Sequence, residues 1–301
     1  MRNPLFLFAL FISVALLSYS QSAKLTDWTK LCTSNQCEEA KKLCTPFADS
    51  ANAAEKVEAQ KCLANVALCG HDIVQLQGDD AGGGTIGEGY QPDAVDEALK
   101  HLNIGIKLAP QDLSIHMGRL HILEVAVRYS DMVKALDESC DIYKRKDAID
   151  AWMAYALELN DLRQYQVALD FMKVLDKHYP NNPDVIGNIG AFLNMLKKTD
   201  ESIPYLQKAA QLAPSDPINA WDLGRAYDYD GKIDLADTWY QKGLSLDTDT
   251  ERRKQSSCLY AIFVETKLHD PARACPMEKK DCAEERQTAC AASPDPNKQA
   301  K

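Results

Sequence analysis

The chain has 301 residues, 46% of them hydrophobic, with 34 basic against 44 acidic side chains and a net charge of −10. That apolar share fills a core and argues against wholesale disorder, while the acidic balance repels phosphate backbones and anionic lipid, so nucleic-acid binding is disfavoured. Glycine and proline stand at ordinary levels, 14 and 13, which removes collagen-like and low-complexity classes.

Arg2, the apolar run at 5–17 and the small residues Ser18, Ser20 and Ser22 have the layout of a secretory signal peptide over 1–20. The run is short of the roughly 20 apolar residues that span a bilayer. The expected location is secreted or periplasmic, and no later stretch of the mature chain is apolar and long enough to span a membrane. In such a compartment thiols oxidise, and the ten cysteines are clustered. Cys32, Cys37, Cys44, Cys62 and Cys69 lie near one end, Cys258, Cys275, Cys282 and Cys290 near the other, and Cys140 stands between. Five disulfides are possible.

Residues 24–77 read as a cysteine-rich helical hairpin. Cys37 and Cys44 are seven apart, as are Cys62 and Cys69, close to two helical turns, so each pair shares a face. Segments 36–43 and 54–68 are rich in Ala, Glu, Lys and Leu, and Thr45, Pro46, Asp49, Ser50 and Asn52 form the turn between them. Antiparallel helices then set Cys37 opposite Cys69 and Cys44 opposite Cys62. The pairing of the other six cysteines stays open. No Cys-x-x-Cys occurs, which weakens both zinc and thiol-redox readings.

Residues 78–91 hold most of a glycine cluster and read as a linker. Gly82-x-Gly84-x-x-Gly87 formally matches a dinucleotide fingerprint, but Gly78, Asp79 and Asp80 before it are no strand.

Residues 92–249 repeat. Pro180 and Pro183 recur as Pro214 and Pro217, both displaced by 34, and Leu108-Ala109-Pro110 matches Leu212-Ala213-Pro214. Small residues stand at Ala98, Ala168, Ser202 and Ala236, with large ones four later at Leu102, Met172, Leu206 and Tyr240. Small residues also stand in the preceding helix of each unit at Gly118, Ala156, Gly190 and Gly224. A small residue on each of two helices lets them pack closely, and the large one fills the space left. Asn182 and Asp216 suit N-caps, with Pro183 and Pro217 in the first helical turn. The unit is helix, tight turn, helix.

On these residues the chain resembles the tetratricopeptide repeat family. The best match is Leu223-Gly224-x-x-Tyr227 followed by Ala236-x-x-x-Tyr240 and Gly243, with Ala220 at the usual tryptophan position and Thr248 at the closing proline. Units at about 148–181 and 182–215 match in small and large positions; 111–147 is two or three residues too long, and a half unit precedes it at 92–110. The resemblance implies an all-α, tetratricopeptide-type helical solenoid whose first helices line a concave groove for a peptide or partner protein. It places Ile115, Arg119 and Ile122; Met153, Leu157 and Asn160; Gly187, Ala191 and Asn194; and Trp221, Arg225 and Asp228 on that groove. The family's clamp for C-terminal carboxylates is not supplied by these residues.

Residues 250–292 read as a cysteine-containing helical cap with helices at 254–267 and 277–292, and 293–301 as a disordered tail. Asp228, Asp230, Asp234 and Asp237 around Gly231 look like part of a calcium loop, yet the first ligand would be Ala226, and the same residues form a repeat turn. His116 and His121, five apart, do not share a helical face. No catalytic residue, cofactor or metal is expected. The reading is a non-catalytic protein-protein interaction scaffold, with an exported enzyme or redox protein as the alternative.

Overall fold

Two recurrent local signals cut the chain into elements: an Asn or Asp N-cap opens the helices that start at 53, 113, 183, 217 and 250, and left-handed residues at 127, 163, 197 and 231 close helix ends. The computed structural model describes residues 28–71, 74–77, 86–143 and 148–283, and among these are fourteen α-helices and one two-stranded hairpin. The expected signal segment at 1–20 and tail at 293–301 lie outside the described residues. The chain divides into two compact units, Met1–His178 and Tyr179–Lys301.

The first unit begins with α1 (Trp28–Thr33), α2 (Cys37–Cys44) and α3 (Ala53–Leu68). The Asn52 side chain accepts from the backbone N–H of Ala54 and Glu55, and Ser50 Oγ donates to Glu55 Oε2, which fixes the start of α3. Cys37 is bonded to Cys69 and Cys44 to Cys62, linking α2 to α3 as antiparallel neighbours. Trp28 is buried against Cys44 and Cys62, and its Nε1 donates to Glu58 Oε1 at 2.9 Å, tying α1 to α3.

Strands β1 (Val74–Gln77) and β2 (Ile86–Gly89) pair antiparallel, Val74 opposite Gly89 and Gln77 opposite Ile86. The segment expected as a linker therefore contains a strand, and the described residues form no other strand pair. A strand does precede the glycine motif, but Gly87 pairs with Leu76 inside the hairpin, and the next helix starts only at Pro92. Gly82 and Gly84 lie outside the described residues.

Helix α4 (Pro92–Leu108) packs along α3, with Val57, Ala64 and Leu68 against Ala94, Val95, Ala98 and Leu102 in one core. His101 Nδ1 meets Gln60 Oε1 at 2.7 Å on the same seam. The missing first helix of the half unit at 92–110 is thus α3, so the disulfide-linked hairpin and the repeats share a core. Helices α5 (Leu113–Val125), α6 (Tyr129–Ile142), α7 (Ala148–Asp161) and α8 (Tyr165–His178) complete this unit.

The second unit holds α9 (Pro183–Met195), α10 (Thr199–Leu212), α11 (Pro217–Tyr229), α12 (Ile233–Leu246), α13 (Thr250–Thr266) and α14 (Pro271–Asp281). Asn182, Asp216, Asp249 and Asp270 cap α9, α11, α13 and α14 with side-chain oxygens. The last helix starts at Pro271 rather than at the expected 277, because Asp270-Pro271 repeats the cap-and-proline start of Asn182-Pro183 and Asp216-Pro217. Cys258 is bonded to Cys282 across α13 and the end of α14, and Tyr260, Ala261, Phe263, Val264 and Ala274 continue the core of α11 and α12.

Four residues between paired helices adopt positive φ: Val127 at 57°, Arg163 at 61°, Lys197 at 60° and Gly231 at 73°. After each, the next N–H donates to a carbonyl five residues back, Arg128 to Leu123, Gln164 to Leu159, Lys198 to Leu193 and Lys232 to Tyr227, at 2.8 to 2.9 Å. This is the Schellman closure of a helix end. The second helices start at 129, 165, 199 and 233, so the repeat length is 36, then 34, then 34.

Candidate functional site

The small residues of the repeat show their purpose most clearly in the second unit. A methyl group built on Gly224 would lie 2.8 Å from Tyr240 Cδ1 and 3.0 Å from the Tyr240 backbone nitrogen. One built on Gly190 would lie 2.5 Å from Leu206 Cγ, and Ser202 Oγ donates to the Gly190 carbonyl at 2.8 Å. Gly243 in turn lies against the backbone of Pro217 and Trp221, each 3.2 Å from a built methyl. Ala236 is fully buried in the same seam. The pairs α9–α10 and α11–α12 therefore touch at backbone distance. Helices α7 and α8, with the buried alanines Ala156 and Ala168, touch along less of their length.

The left-handed residues give the register of the first helices independently of glycine. Gly190 precedes Lys197 by seven, Gly224 precedes Gly231 by seven, and Ala156 precedes Arg163 by seven. Seven before Val127 is Leu120, not Gly118. Gly118 would place a methyl 3.8 Å from Leu102 of α4, an ordinary contact away from its own second helix. The structure accordingly corrects the first unit by two residues. Arg119 Nη2 donates to Glu138 of α6 at 2.6 Å, while Ile115 and Ile122 are core residues. The equivalent positions are Met117, His121 and Glu124, which counting from the nearest glycine missed and counting back from the turn would have found. His121 Nδ1 lies 3.4 Å from Glu124, and the Tyr155 hydroxyl of α7 donates to Glu124 Oε2. Burial, and next the charge of Glu124, raise the Glu158 carboxyl above its usual pKa.

In α7 the register leaves Met153 and Asn160 half-buried and Leu157 exposed. In α9, Gly187 sits against the neighbouring first helix: a methyl there would fall 2.2 Å from Asn219 Oδ1 of α11, so α9 and α11 lie side by side. Ala191 is half-buried. Asn194 is 2% exposed, and neither its Nδ2 nor its Oδ1 has a hydrogen-bond partner among the described residues.

One repeat on, in α11, Trp221 is half-buried rather than free: its ring lies tilted against Tyr240, centroids 4.6 Å apart, and packs on the second-unit core. Arg225 Nη2 donates to Asp222 Oδ1 at 2.7 Å, and its buried Nε has no partner among the described residues. Asp222 is buried, and that burial raises its carboxyl pKa against the pull of Arg225. Asp228 Oδ1 is likewise buried without a hydrogen bond among the described residues, and Lys267 Nζ, just past the end of α13, lies 3.8 Å from it. Burial lifts the Asp228 carboxyl above its usual value, with Lys267 opposing. Asn194, Arg225 and Asp228 thus bring orphaned polar atoms of α9 and α11 to the register that the first-helix face occupies. A surface cavity of about 260 Å³ lies elsewhere, at the helix ends lined by Lys197, Lys198, Thr199, Asp200 and Tyr229.

Cys32 and Cys140 are free thiols, so the ten cysteines do not all form disulfides. Burial pushes the Cys32 thiol up to about 11 and that of Cys140 to about 12, the reverse of an activated thiolate. Among the described residues no group of three or more His, Cys, Asp and Glu is placed to hold a metal, and Asp228, Asp230 and Asp234 flank the left-handed Gly231 in a helix–helix turn.

Residues 220–250 match the family model described as tetratricopeptide repeat, the segment holding Gly224, Ala236, Tyr240 and Gly243. The chain carries a tetratricopeptide repeat. No curated protein matches the sequence. Among solved structures it is similar to MamA 41-end from Desulfovibrio magneticus RS-1, at 20% identity over 58% of this chain and 96% of that one, TM-score 0.43. It is similar also to Pseudomonas aeruginosa PilF, at 14% identity over 66% and 89% with TM-score 0.43. A third is YrrB, titled a TPR protein with an unusual peptide-binding site, at 15% identity over 54% and 82% with TM-score 0.37.

Proposed function

We propose that the chain is a non-catalytic protein-protein interaction scaffold, exported to the periplasm or secreted, that holds an extended peptide segment of a partner along the first helices α9 and α11. The observation that carries this reading is Asn194. A buried primary amide with both polar atoms unpaired costs free energy that a partner would recover. An extended backbone offers an N–H and a C=O to one amide side chain, and Asn194 has one acceptor and one donor group free for them. Its register equivalents Asn160 and Asp228 are also polar. Export is supported by the disulfides Cys37–Cys69, Cys44–Cys62 and Cys258–Cys282, a bonding state of oxidising compartments. No described helix is long and apolar enough to cross a membrane.

The test is panning of a random decapeptide library on the full chain, followed by Asn194→Ala. Removing an orphaned amide is expected to leave the melting temperature unchanged or slightly higher, while the selected peptides lose on the order of tenfold in affinity. Unchanged peptide affinity in the folded variant would remove Asn194 from the site.

A further inference from the structure

The second-unit face has a charge asymmetry that goes beyond peptide binding and rests on that reading. Asp228 stands on α11 where Asn194 stands on α9, one repeat of 34 residues later, and the two helices are neighbours through Gly187 and Asn219. Asp228 Oδ1 is buried and accepts no hydrogen bond among the described residues. Its nearest cation, Lys267 Nζ, is 3.8 Å away on a side chain about half exposed, too far for a hydrogen bond and free to swing into solvent. The other carboxylate of α11, Asp222, is already matched by Arg225 at 2.7 Å, so Asp228 is the acid on this face whose charge is least compensated. An anionic oxygen withdrawn from water gains most from a cation that arrives with its own N–H donors. The chain's excess of 44 acidic over 34 basic residues favours the approach of a cationic partner over longer distances.

We infer that the partner segment carries a basic side chain, Lys or Arg, that displaces Lys267 and pairs with Asp228 while Asn194 holds the adjacent backbone. An acidic or neutral residue at that position leaves Asp228 unpaired and is selected against.

The experiment uses the full chain and acetylated, amidated decapeptides from the panning, so that no terminal charge contributes. Selected peptides should share a Lys or Arg, and replacing it by Gln should weaken binding on the order of tenfold. On Asp228→Asn the basic and Gln peptides should bind equally. Lys267→Met, a change at a partly exposed side chain, should tighten the basic peptides severalfold and leave the Gln peptides unmoved, which tests the claim even if Asp228→Asn misfolds. Selected peptides without a basic residue overturn the inference, as does a basic preference that survives in Asp228→Asn or is indifferent to Lys267→Met. Loss of both peptide types in Asn194→Ala alongside such a result keeps the peptide site and removes only the charge assignment; a library without binders removes both.

Discussion

Glycines at apparently similar places in this chain do different work, and substitution should separate them. Gly224 faces the backbone of Tyr240, which cannot yield, so Gly224→Leu is expected to cost about 1–3 kcal/mol or more by overpacking. Gly118 has only the tip of Leu102 at ordinary distance, so Gly118→Ala should stabilise by roughly 0.5–1 kcal/mol through helix propensity. Urea midpoints for the two variants check this; opposite signs are the expected result. Trp221→Ala should lower stability by about 2 kcal/mol, since its ring packs on Tyr240, and a melting temperature equal to the parent's would put the ring back on an open face. Histidine gives a pH dependence. Burial holds the His116 imidazole below its usual pKa, while its Nε2 meets the Pro110 carbonyl at 3.0 Å and its Nδ1 meets Ser139 Oγ at 2.9 Å. Because the folded chain resists protonation at this ring, its contribution is full above the unfolded value of about 6.5 and is lost as pH falls below it. The urea midpoint should therefore drop between about pH 7 and pH 5, and His116→Gln should flatten part of that slope.

At the scale of elements, what the residues made legible and what they hid have distinct causes. The cap-and-proline starts of α9 and α11 are local, and so is the seven-residue cysteine spacing that sets α2 against α3. The pairing of α3 with α4 is not local: the two halves of that core are separated by the hairpin, and no spacing rule connects them. The left-handed turns were hidden for another reason. Only Gly231 carries the residue that such a φ favours, whereas Val127, Arg163 and Lys197 hold the same conformation because the repeat geometry imposes it. Counting from Gly118 consequently sets the register of the first repeat two residues before the position that Val127 marks. Helix α14 opens at Asp270-Pro271, the start signal also present at 182–183 and 216–217, and so begins six residues before the expected 277. The disulfides give the element-scale prediction. Closing the 32-residue separation of Cys37 and Cys69 is worth about 3–4 kcal/mol in the chain-entropy model, so reduction should loosen α2 from α3 while α9 to α12 keep their helix. Hydrogen exchange of the reduced chain measures this, and protection lost uniformly would contradict it.

For the whole molecule, the repeat fixes where a partner is read more firmly than what the partner is. Close glycine contacts bind second helices to first helices, and one turn after Gly190 and Gly224 stand Asn194 and Asp228, with Arg225 beside Gly224. None of these polar groups could be singled out by residue type alone, because their significance lies in being buried without partners. The most direct measurement is photo-crosslinking of a selected decapeptide carrying a benzophenone, with the attachment points mapped by mass spectrometry on the full chain. The account predicts attachment within 187–194 and 221–228, abolished by unlabelled peptide. Attachment confined to α10, α12 or the first unit would contradict it.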